Sequence, residues 1–392
     1  MTQSPVRQSL AAVHRLESFA VLRLLGCGQR IVPSTEPVPL PAPEEVENTV
    51  YLIGDAGGPA PQVEPVLRAL AAQLATDPAR SLVLFLGDNV YPRGLPAESD
   101  PAFEEGARRL DAQVDLLRHY GVRGYFLPAN HDWDRFGPGG WDAIRRQGNR
   151  IATRGGNLVR LLPAGGCPGP EVIDIGTRLR LLLLDTQWWL QSGPKPSAAA
   201  DGCEFYTETA VVEAIARGLA SAGDRAVIVA AHHPALTGGE HGGFFGWKDH
   251  LFPLRNLASW LWLPLPGLGS LYPISRGLGI SNQDVTGSKY RRLRQALDGA
   301  FRDHPPLIFA AGHEHGLQVI SGGPARYQLV SGAGILGHEG PVTGIPGTIL
   351  ALQEAGFMRV DLYRDGRVRL GVRTVDRSGR GSEVYSRWLE RE

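Results

Sequence analysis

Cysteine is scarce in this chain of 392 residues, which contains 3 cysteines, at Cys27, Cys167 and Cys203. Such scattered thiols exclude a zinc ribbon and a domain held together by a disulfide framework. Cys167 and Cys203 flank an apolar run at 179–184, and they could either pair in an oxidising periplasm or remain as two buried thiols. An excess of one charge is also missing, because 40 Lys and Arg residues balance 40 Asp and Glu residues. Proteins that bind nucleic acid through its phosphates usually carry a basic excess, so we expect no nucleic-acid partner.

Long apolar runs and internal repeats are lacking as well. The sequence has no uninterrupted stretch of about 18 apolar residues, the length that a conventional membrane-spanning helix requires. The absence of a repeat period or heptads argues against solenoids and coiled coils. Gly, at 50 residues, and Pro, at 30, are abundant instead, which indicates many turns and long loops.

The N-terminal segment, residues 1–45, has two features. Leu24-Leu25-Gly26-Cys27 has the shape of a bacterial lipobox, although Glu17 and Arg23 intrude where a signal peptide is normally apolar. The alternative is an ordinary amphipathic helix. The following stretch, 31–45, is Pro-rich and is typical of an extended tether. A lipid on Cys27 would anchor the protein in the bacterial cell envelope or periplasm; without it, we expect a soluble protein.

Short apolar strands alternate with amphipathic helices after the tether. This alternation predicts an α/β fold with largely parallel strands, in one domain over 46–375 that is followed by a C-terminal tail, 376–392. In such folds, ligands bind beyond the carboxyl ends of the strands. The predicted strands are 49–53, 82–86, 125–127, 179–184, 226–230 and 307–310, with a terminal hairpin at 359–363 and 367–372, and the predicted helices include 63–74 and 103–119.

Polar side chains follow five of these strands directly. Hard oxygen ligands and imidazoles therefore converge on one rim of the predicted sheet, a mixture that suits a pair of transition metals or zinc. The groups in question are Asp55, Asp88, Asn130 with His131, His232, and His313 with His315.

The motifs that carry these side chains resemble the five-motif signature of the purple acid phosphatases, within the calcineurin-like metallophosphoesterase superfamily. Ala129 departs from the pattern, because the family usually has Gly before Asn-His. The resemblance implies a four-layer sandwich of two mixed β-sheets flanked by helices, with the active site at the carboxyl ends of the strands. The motifs are Gly54-Asp55-x-Gly57, Gly87-Asp88-x-x-Tyr91, Asn130-His131-Asp132, Val229-x-x-His232 and Gly312-His313-x-His315.

The resemblance also implies a set of metal ligands. Asp55, Tyr91 and His315 would hold the first ion, and Asp88 would bridge both ions. The second ion would be held by the remaining ligands, which are Asn130, His232 and His313. A phenolate ligand favours Fe(III), so the expected cofactors are Fe(III) and a divalent Fe, Zn or Mn ion.

The chemistry implied by the resemblance is hydrolysis of a small phosphorylated substrate, a phosphate monoester, by a metal-bound hydroxide. A phosphodiesterase, a nucleotide phosphatase and a membrane-attached non-catalytic scaffold are the alternatives. His131 is expected to donate a proton to the leaving group, with Asp132 orienting its ring. His241 matches a histidine beside the metal site of the mammalian-type enzymes, unless it is an exposed loop residue. His233 is expected to be structural or to form a pocket edge.

The segment 244–287, hereafter the apolar insertion, is rich in leucine and tryptophan, most densely over 251–273. Its prolines prevent one long helix. Trp260 and Trp262 among leucines suit a membrane interface or a partner surface, so we expect peripheral membrane association as one option. The other option is a loop that folds on its own core or caps the active site.

Overall fold

The computed structural model describes residues 30–33, 37–40, 42–58, 64–245, 250–256, 261–265, 267–277, 281 and 283–391. The lipobox-like motif with Cys27, and Trp260 in the apolar insertion, lie outside these residues. The predicted α/β fold is confirmed, and each strand predicted from the sequence overlaps an observed strand.

The regular elements come in the order strand, helix, strand through most of the domain. The strands are β1 (Val46–Ile53), β2 (Ser81–Phe85), β3 (Arg123–Phe126), β4 (Val159–Leu161), β5 (Glu171–Ile175), β6 (Leu179–Leu183), β7 (Ala226–Ala230), β8 (Ile308–Ala311), β9 (Leu317–Ser321), β10 (Tyr327–Ser331), β11 (Thr348–Leu352), β12 (Gly356–Tyr363), β13 (Val368–Val375) and β14 (Gly381–Leu389). The helices are α1 (Pro65–Leu74), α2 (Phe103–Tyr120), α3 (Gly140–Gly155), α4 (Gln187–Leu190), α5 (Glu208–Ala220), α6 (Leu271–Gly277) and α7 (Ser288–Phe301). Short 3-10 helices lie at Pro43–Glu45, Pro78–Arg80, Asp134–Phe136, Ala164–Gly166, Ala199–Asp201, Glu240–Gly242, Pro253–Asn256 and Leu268–Ser270.

The strands of the described chain form two seven-stranded sheets. The first has the order β14-β13-β12-β1-β2-β3-β4, and the second has the order β11-β9-β10-β8-β7-β6-β5. Both sheets are mixed. In the first sheet, β1 to β4 are parallel to one another, whereas β12 to β14 are antiparallel to their neighbours. In the second sheet, β6, β7, β8 and β10 are parallel to one another, whereas β5, β9 and β11 are antiparallel to their neighbours. The parallel part of each sheet directs its carboxyl ends toward one rim.

The alternation of side chains along each strand produces four layers. On β1, Val50 and Leu52 enter a core shared by the two sheets, whereas Tyr51 and Ile53 face α1 and α2. The second sheet repeats the pattern, with Leu182 on β6 packing in the core that includes α5 and α7. Two mixed sheets flanked by helices therefore form the sandwich that the resemblance implied.

The residues assigned to a C-terminal tail do not form one. Gly381–Leu389 is β14, which pairs antiparallel with β13 and closes the edge of the first sheet. Tyr385 and Leu389 are buried in the core between the sheets. Glu383 pairs with the guanidinium of Arg369, which is fully buried. This segment therefore completes the first sheet and supplies a partner for a buried arginine.

Cys167 and Cys203 form a disulfide bond. It joins the loop before β5 to the loop before α5. Among the described residues, no helix is long and apolar enough to cross a membrane.

Candidate metal centre

Tight turns follow β1, β2 and β8, and each turn aims one polar side chain inward. Asp55, Asp88 and His313 adopt left-handed backbone conformations with φ of 58°, 53° and 71°. Such conformations are uncommon for residues other than glycine and cluster at functional sites. Gly87 has to lack a side chain, because a Cβ there would lie 2.6 Å from the Cβ of Ala129 and 2.7 Å from Nδ1 of His232. The methyl group of Ala129, the departure noted above, is thus accommodated against this glycine.

The first group of predicted ligands comes together at the ends of β1, β2 and β8. Tyr91 Oη donates to Asp55 Oδ1 at 3.0 Å and lies 3.3 Å from His315 Nε2. His315 Nε2 is also 3.5 Å from Asp55 Oδ1. The phenol, the carboxylate and the imidazole therefore surround one point, with Tyr91 itself only 9% exposed.

The second group lies beside the first. His232 Nε2 is 2.8 Å from Asn130 Oδ1, 3.2 Å from His313 Nδ1 and 3.7 Å from Asp88 Oδ2. The ligand atoms of Asp55, Asp88 and His232 all lie within 4.8 Å of one another. Asp88 is thus adjacent to both groups, which is the geometry that a bridging carboxylate needs.

The other ring nitrogens fix the tautomers of the two buried histidines. His232 Nδ1 donates to Leu86 O at 2.8 Å, and His313 Nε2 donates to Gln283 O at 3.3 Å. With those nitrogens protonated, His232 Nε2 and His313 Nδ1 carry free lone pairs, which face each other and the side chain of Asn130. Outer hydrogen bonds of this kind orient histidines that bind metal.

The charges of this site are consistent with bound cations. Asp55 and Asp88 are each 1% exposed, and among the described residues the cationic side chains within ion-pair distance of them are histidines. Burial raises the pKa of Asp88, but the neighbouring His131, His232 and His315, together with the backbone N–H of His131, more than offset this and bring it below its ordinary value. Burial and the neighbouring His241 and His233 lower the pKa of His313 well below 6.5, so this imidazole is neutral, as a metal ligand must be. Burial alone would lower the pKa of His315, but its contact with Asp55 raises it to about 9, so this imidazole carries positive charge beside the carboxylates. Bound cations would take over that compensation of the buried carboxylates, and the oxygen and nitrogen donor set fits a pair of transition metals.

His131 lies at the edge of this site. Its Nδ1 donates to Pro92 O at 2.7 Å, and its Nε2 is 3.8 Å from Asp88 Oδ2. The expectation that Asp132 orients the ring was wrong. Asp132 accepts instead from the backbone N–H groups of Asn89 and Val90, at 3.0 and 3.2 Å, and so shapes the loop that carries Asp88 and Tyr91.

His241 lies against the second group. Its ring centroid is 3.8 Å from that of His313, and its Nδ1 is 3.3 Å from Glu314 Oε2. The side chain is 15% exposed, so the alternative of a solvent-exposed loop histidine does not hold. His233 is fully buried, with Nδ1 2.8 Å from Thr186 Oγ1 and its ring 4.6 Å from that of His313.

Two neighbours of the site were missed at the sequence level. His338, in the loop after β10, lies with its ring 4.1 Å from that of His315 and 5.5 Å from that of Tyr91. Burial and the adjacent His315 lower its pKa to about 4. Gln283 contributes only its carbonyl oxygen, to His313. In the sequence, the glycine-histidine pair Gly337-His338 stands several residues after β10, which is only a weak indication of a site residue. The backbone carbonyl of Gln283 has no sequence signature at all.

Comparison with known proteins gives the following matches. The sequence model of the calcineurin-like phosphoesterase family matches residues 49–317. None of the curated proteins matches the sequence. Among solved structures, the chain is similar to GAP50, the anchor in the inner membrane complex of Plasmodium, with 15% identity and a TM-score of 0.54 over 88% of this chain and 89% of that chain. This likeness supports the fold alone.

Two further solved structures show a weaker likeness. Purple acid phosphatase PPD1 from yellow lupin (Lupinus luteus) seeds has 15% identity and a TM-score of 0.49, over 87% of this chain and 53% of that chain. A dimetal phosphatase from Danio rerio has 12% identity and a TM-score of 0.49, over 88% of this chain and 100% of that chain.

Proposed function

Because the chain belongs to the calcineurin-like phosphoesterase family, we propose that it hydrolyses phosphate monoesters at a dinuclear metal centre of the purple acid phosphatase type. The observation that carries this proposal is the meeting of Tyr91, Asp55 and His315 in one group, directly beside the group around His232, with Asp88 adjacent to both. A phenol among the ligands distinguishes this arrangement from a site built of carboxylates and imidazoles alone.

The residues have separate roles in this proposal. Asp55, Tyr91 and His315 would hold Fe(III), Asn130, His232 and His313 would hold a divalent Fe, Zn or Mn ion, and Asp88 would contact both. Such a pair of ions, when bound, supplies the positive charge that binds the phosphoryl oxygens and activates water.

His131 is suited to protonate the leaving oxygen. Because Nδ1 is engaged with Pro92 O, the ring presents Nε2 to the site, 3.8 Å from Asp88. His241 approaches from the side of His313, with Glu314 behind its ring, and is suited to contact a phosphoryl oxygen. The two histidines therefore flank the place where the phosphoryl group would bind.

The proposal is tested with p-nitrophenyl phosphate and bis(p-nitrophenyl) phosphate as substrates. We expect the monoester to be hydrolysed faster than the diester, and Asp88→Asn to lower both bound metal and turnover, the latter by at least about 100-fold. Asp303→Asn, an exposed carboxylate remote from the site, is the matched control. A preference for the diester would favour the phosphodiesterase alternative on the same side chains.

A non-catalytic, membrane-attached scaffold is the second candidate. The observation that favours it is the likeness to GAP50, which is described as an anchor. A folded, metal-loaded protein that hydrolyses neither ester would support this candidate, whereas turnover that depends on Asp88 would exclude it.

We also propose that the protein resides in the bacterial cell envelope. The lipobox-like Leu24-Leu25-Gly26-Cys27 supports this location, and so does the Cys167–Cys203 disulfide, because disulfides persist in oxidising compartments. In a bacterial host, the full chain is expected to fractionate with membranes, and Cys27→Ser is expected to shift it to the soluble fraction or leave it unprocessed. Unchanged fractionation of Cys27→Ser would refute lipidation.

A further inference from the structure

The described part of the apolar insertion exposes a cluster of large apolar side chains. Six of them, all within residues 262–274, are between 43% and 65% exposed, and exposed apolar side chains gathered in this way mark interaction surfaces. They surround the short 3-10 helix Leu268–Ser270 and the start of α6. We call this set the apolar face, and its members are Trp262, Leu263, Leu268, Leu271, Tyr272 and Ile274.

The apolar face is connected to the metal centre by a chain of contacts. The hydroxyl of Tyr272 accepts a hydrogen bond from Arg276 at 2.9 Å, and Arg276 pairs with the buried carboxylate of Asp284. The residue before Asp284 is Gln283, whose carbonyl holds Nε2 of His313. The residue after it, Val285, donates its backbone N–H to the carbonyl of His241 at 2.9 Å. The face is therefore built onto the part of the chain that positions the second group of ligands and His241.

The N-terminal chain reaches the domain on this same side. Ile31 exchanges both backbone hydrogen bonds with Ala351, at 2.9 and 3.0 Å. Its side chain lies against Gly344, where an added Cβ would be 2.6 Å from Ile31 Cδ1. The neighbouring Thr343 donates to the carbonyl of Gly238 at 2.9 Å, three residues before His241.

The length of chain before Ile31 limits where an anchor can be. Cys27 precedes Ile31 by four residues, and an extended chain spans at most about 3.5 Å per residue, or roughly 14 Å here. A lipid on Cys27 would therefore place a membrane surface near the loop that carries His241. The position of the apolar face beside the same loop is an independent observation.

From these observations we propose that the apolar face docks on a phospholipid bilayer and that the substrate is a phosphate monoester carried by a lipid in that bilayer. This inference rests on the proposed function. Tryptophan and tyrosine among leucines are typical of the membrane–water interface, where their rings lie at headgroup level. A lipid phosphate would then reach the metal centre while its acyl chains stay beside the face. Water adds its oxygen to phosphorus as the P–O bond to the lipid breaks, and the products are inorganic phosphate and the protonated lipid alcohol.

The experiment compares a lipid-borne and a soluble substrate in the full chain carrying Cys27→Ser, so that no lipid anchor dominates binding. The probes are dioleoyl phosphatidate in phosphatidylcholine vesicles and p-nitrophenyl phosphate in solution. Trp262→Ser with Leu271→Ser is expected to lower vesicle binding in sedimentation, and turnover of the vesicle substrate, by about tenfold or more, because exposed apolar area that would be buried is lost. Turnover of p-nitrophenyl phosphate is expected to stay within about twofold, because neither residue is one of the predicted ligands or one of the two histidines beside them.

The matched control is Leu158→Ser with Val172→Ser, two exposed apolar residues on other elements, and it is expected to behave as the parent chain. If the parent hydrolyses p-nitrophenyl phosphate but neither binds the vesicles nor hydrolyses their phosphatidate, the inference is overturned while the proposed function stands. If p-nitrophenyl phosphate is not hydrolysed at all, the proposed function itself fails. Concentration-dependent dimers that the Trp262 and Leu271 substitutions abolish, without vesicle binding, would identify a second copy as the occupant and also overturn the inference.

Discussion

Replacement of His131 by alanine isolates proton donation from metal binding. The backbone N–H of His131 donates to Asp88 Oδ1 at 3.0 Å, and an alanine keeps this contact. What the variant loses is the ring, whose Nδ1 is fixed by Pro92 O and whose Nε2 lies near Asp88. We therefore expect the His131→Ala variant to bind metal as the parent does but to lack the general acid that protonates the leaving group.

The magnitude follows from the role. A positioned general acid contributes roughly 10²- to 10⁴-fold to the rate, which corresponds to about 3 to 5 kcal/mol in the activation free energy. An alkyl phosphate needs the full contribution, because its alkoxide leaving group is strongly basic. Nitrophenolate is a weak base and departs with little need of a proton. The fold-loss in kcat with p-nitrophenyl phosphate is therefore expected to be at least about tenfold smaller than the fold-loss with the alkyl phosphate.

The assay is kcat for glycerol phosphate and for p-nitrophenyl phosphate, with metal content measured on the same samples. His119→Ala, an exposed histidine in the last turn of α2, serves as the control and is expected to leave both rates unchanged. Equal losses on the two substrates, or a fall in bound metal in His131→Ala, would refute the role of His131 as the acid.

Two further predictions concern stability. Asp185 accepts a hydrogen bond from Trp133 Nε1 at 2.8 Å, and burial raises its pKa to about 7. The folded state therefore keeps a proton that the unfolded chain releases near pH 4. The free energy of unfolding should accordingly fall by about 4 kcal/mol as the pH rises from about 4 to 7. Chemical denaturation should show this slope in the parent and not in Asp185→Asn; a slope that persists in the variant would assign it to other groups. The double substitution Cys167→Ser with Cys203→Ser removes a disulfide that spans a sequence separation of 36, so the free energy of unfolding is expected to fall by about 4 kcal/mol. An unchanged midpoint of chemical denaturation would show that the disulfide does not stabilise the fold.

The parts of the fold that sequence reasoning predicted are those with a strong local signal. The buried strand β1 is visible in the sequence, because its second half is apolar on both faces and is followed by Gly54-Asp55. The rim was predictable because parallel strands place their carboxyl ends together. The structure accordingly brings Asp55, Asp88 and His232 within a few ångströms of one another, although they are far apart in sequence.

The parts that were missed depend on tertiary contacts. β14 joins the first sheet by pairing with β13, and its Glu383 pairs with the buried Arg369, a contact between residues 14 positions apart. Asp132 follows His131 directly in the sequence, but the loop turns its carboxylate toward Asn89 and Val90 instead. His338 belongs to none of the motifs and reaches His315 only through the path of the loop after β10. Contacts of this kind have no period and no fixed spacing, so the sequence alone does not reveal them.

Metal analysis combined with the visible absorption spectrum of the purified, oxidised protein tests the proposed dinuclear centre with iron beside Tyr91. We expect about two metal ions per chain, one of them iron, and a visible band from charge transfer between phenolate and Fe(III). Tyr91→Phe should abolish the band, because Tyr91 Oη is the phenol between Asp55 and His315. A colourless, fully metallated and active protein that contains only zinc or manganese would contradict the assignment of iron, and a folded protein that binds no metal would contradict the centre itself.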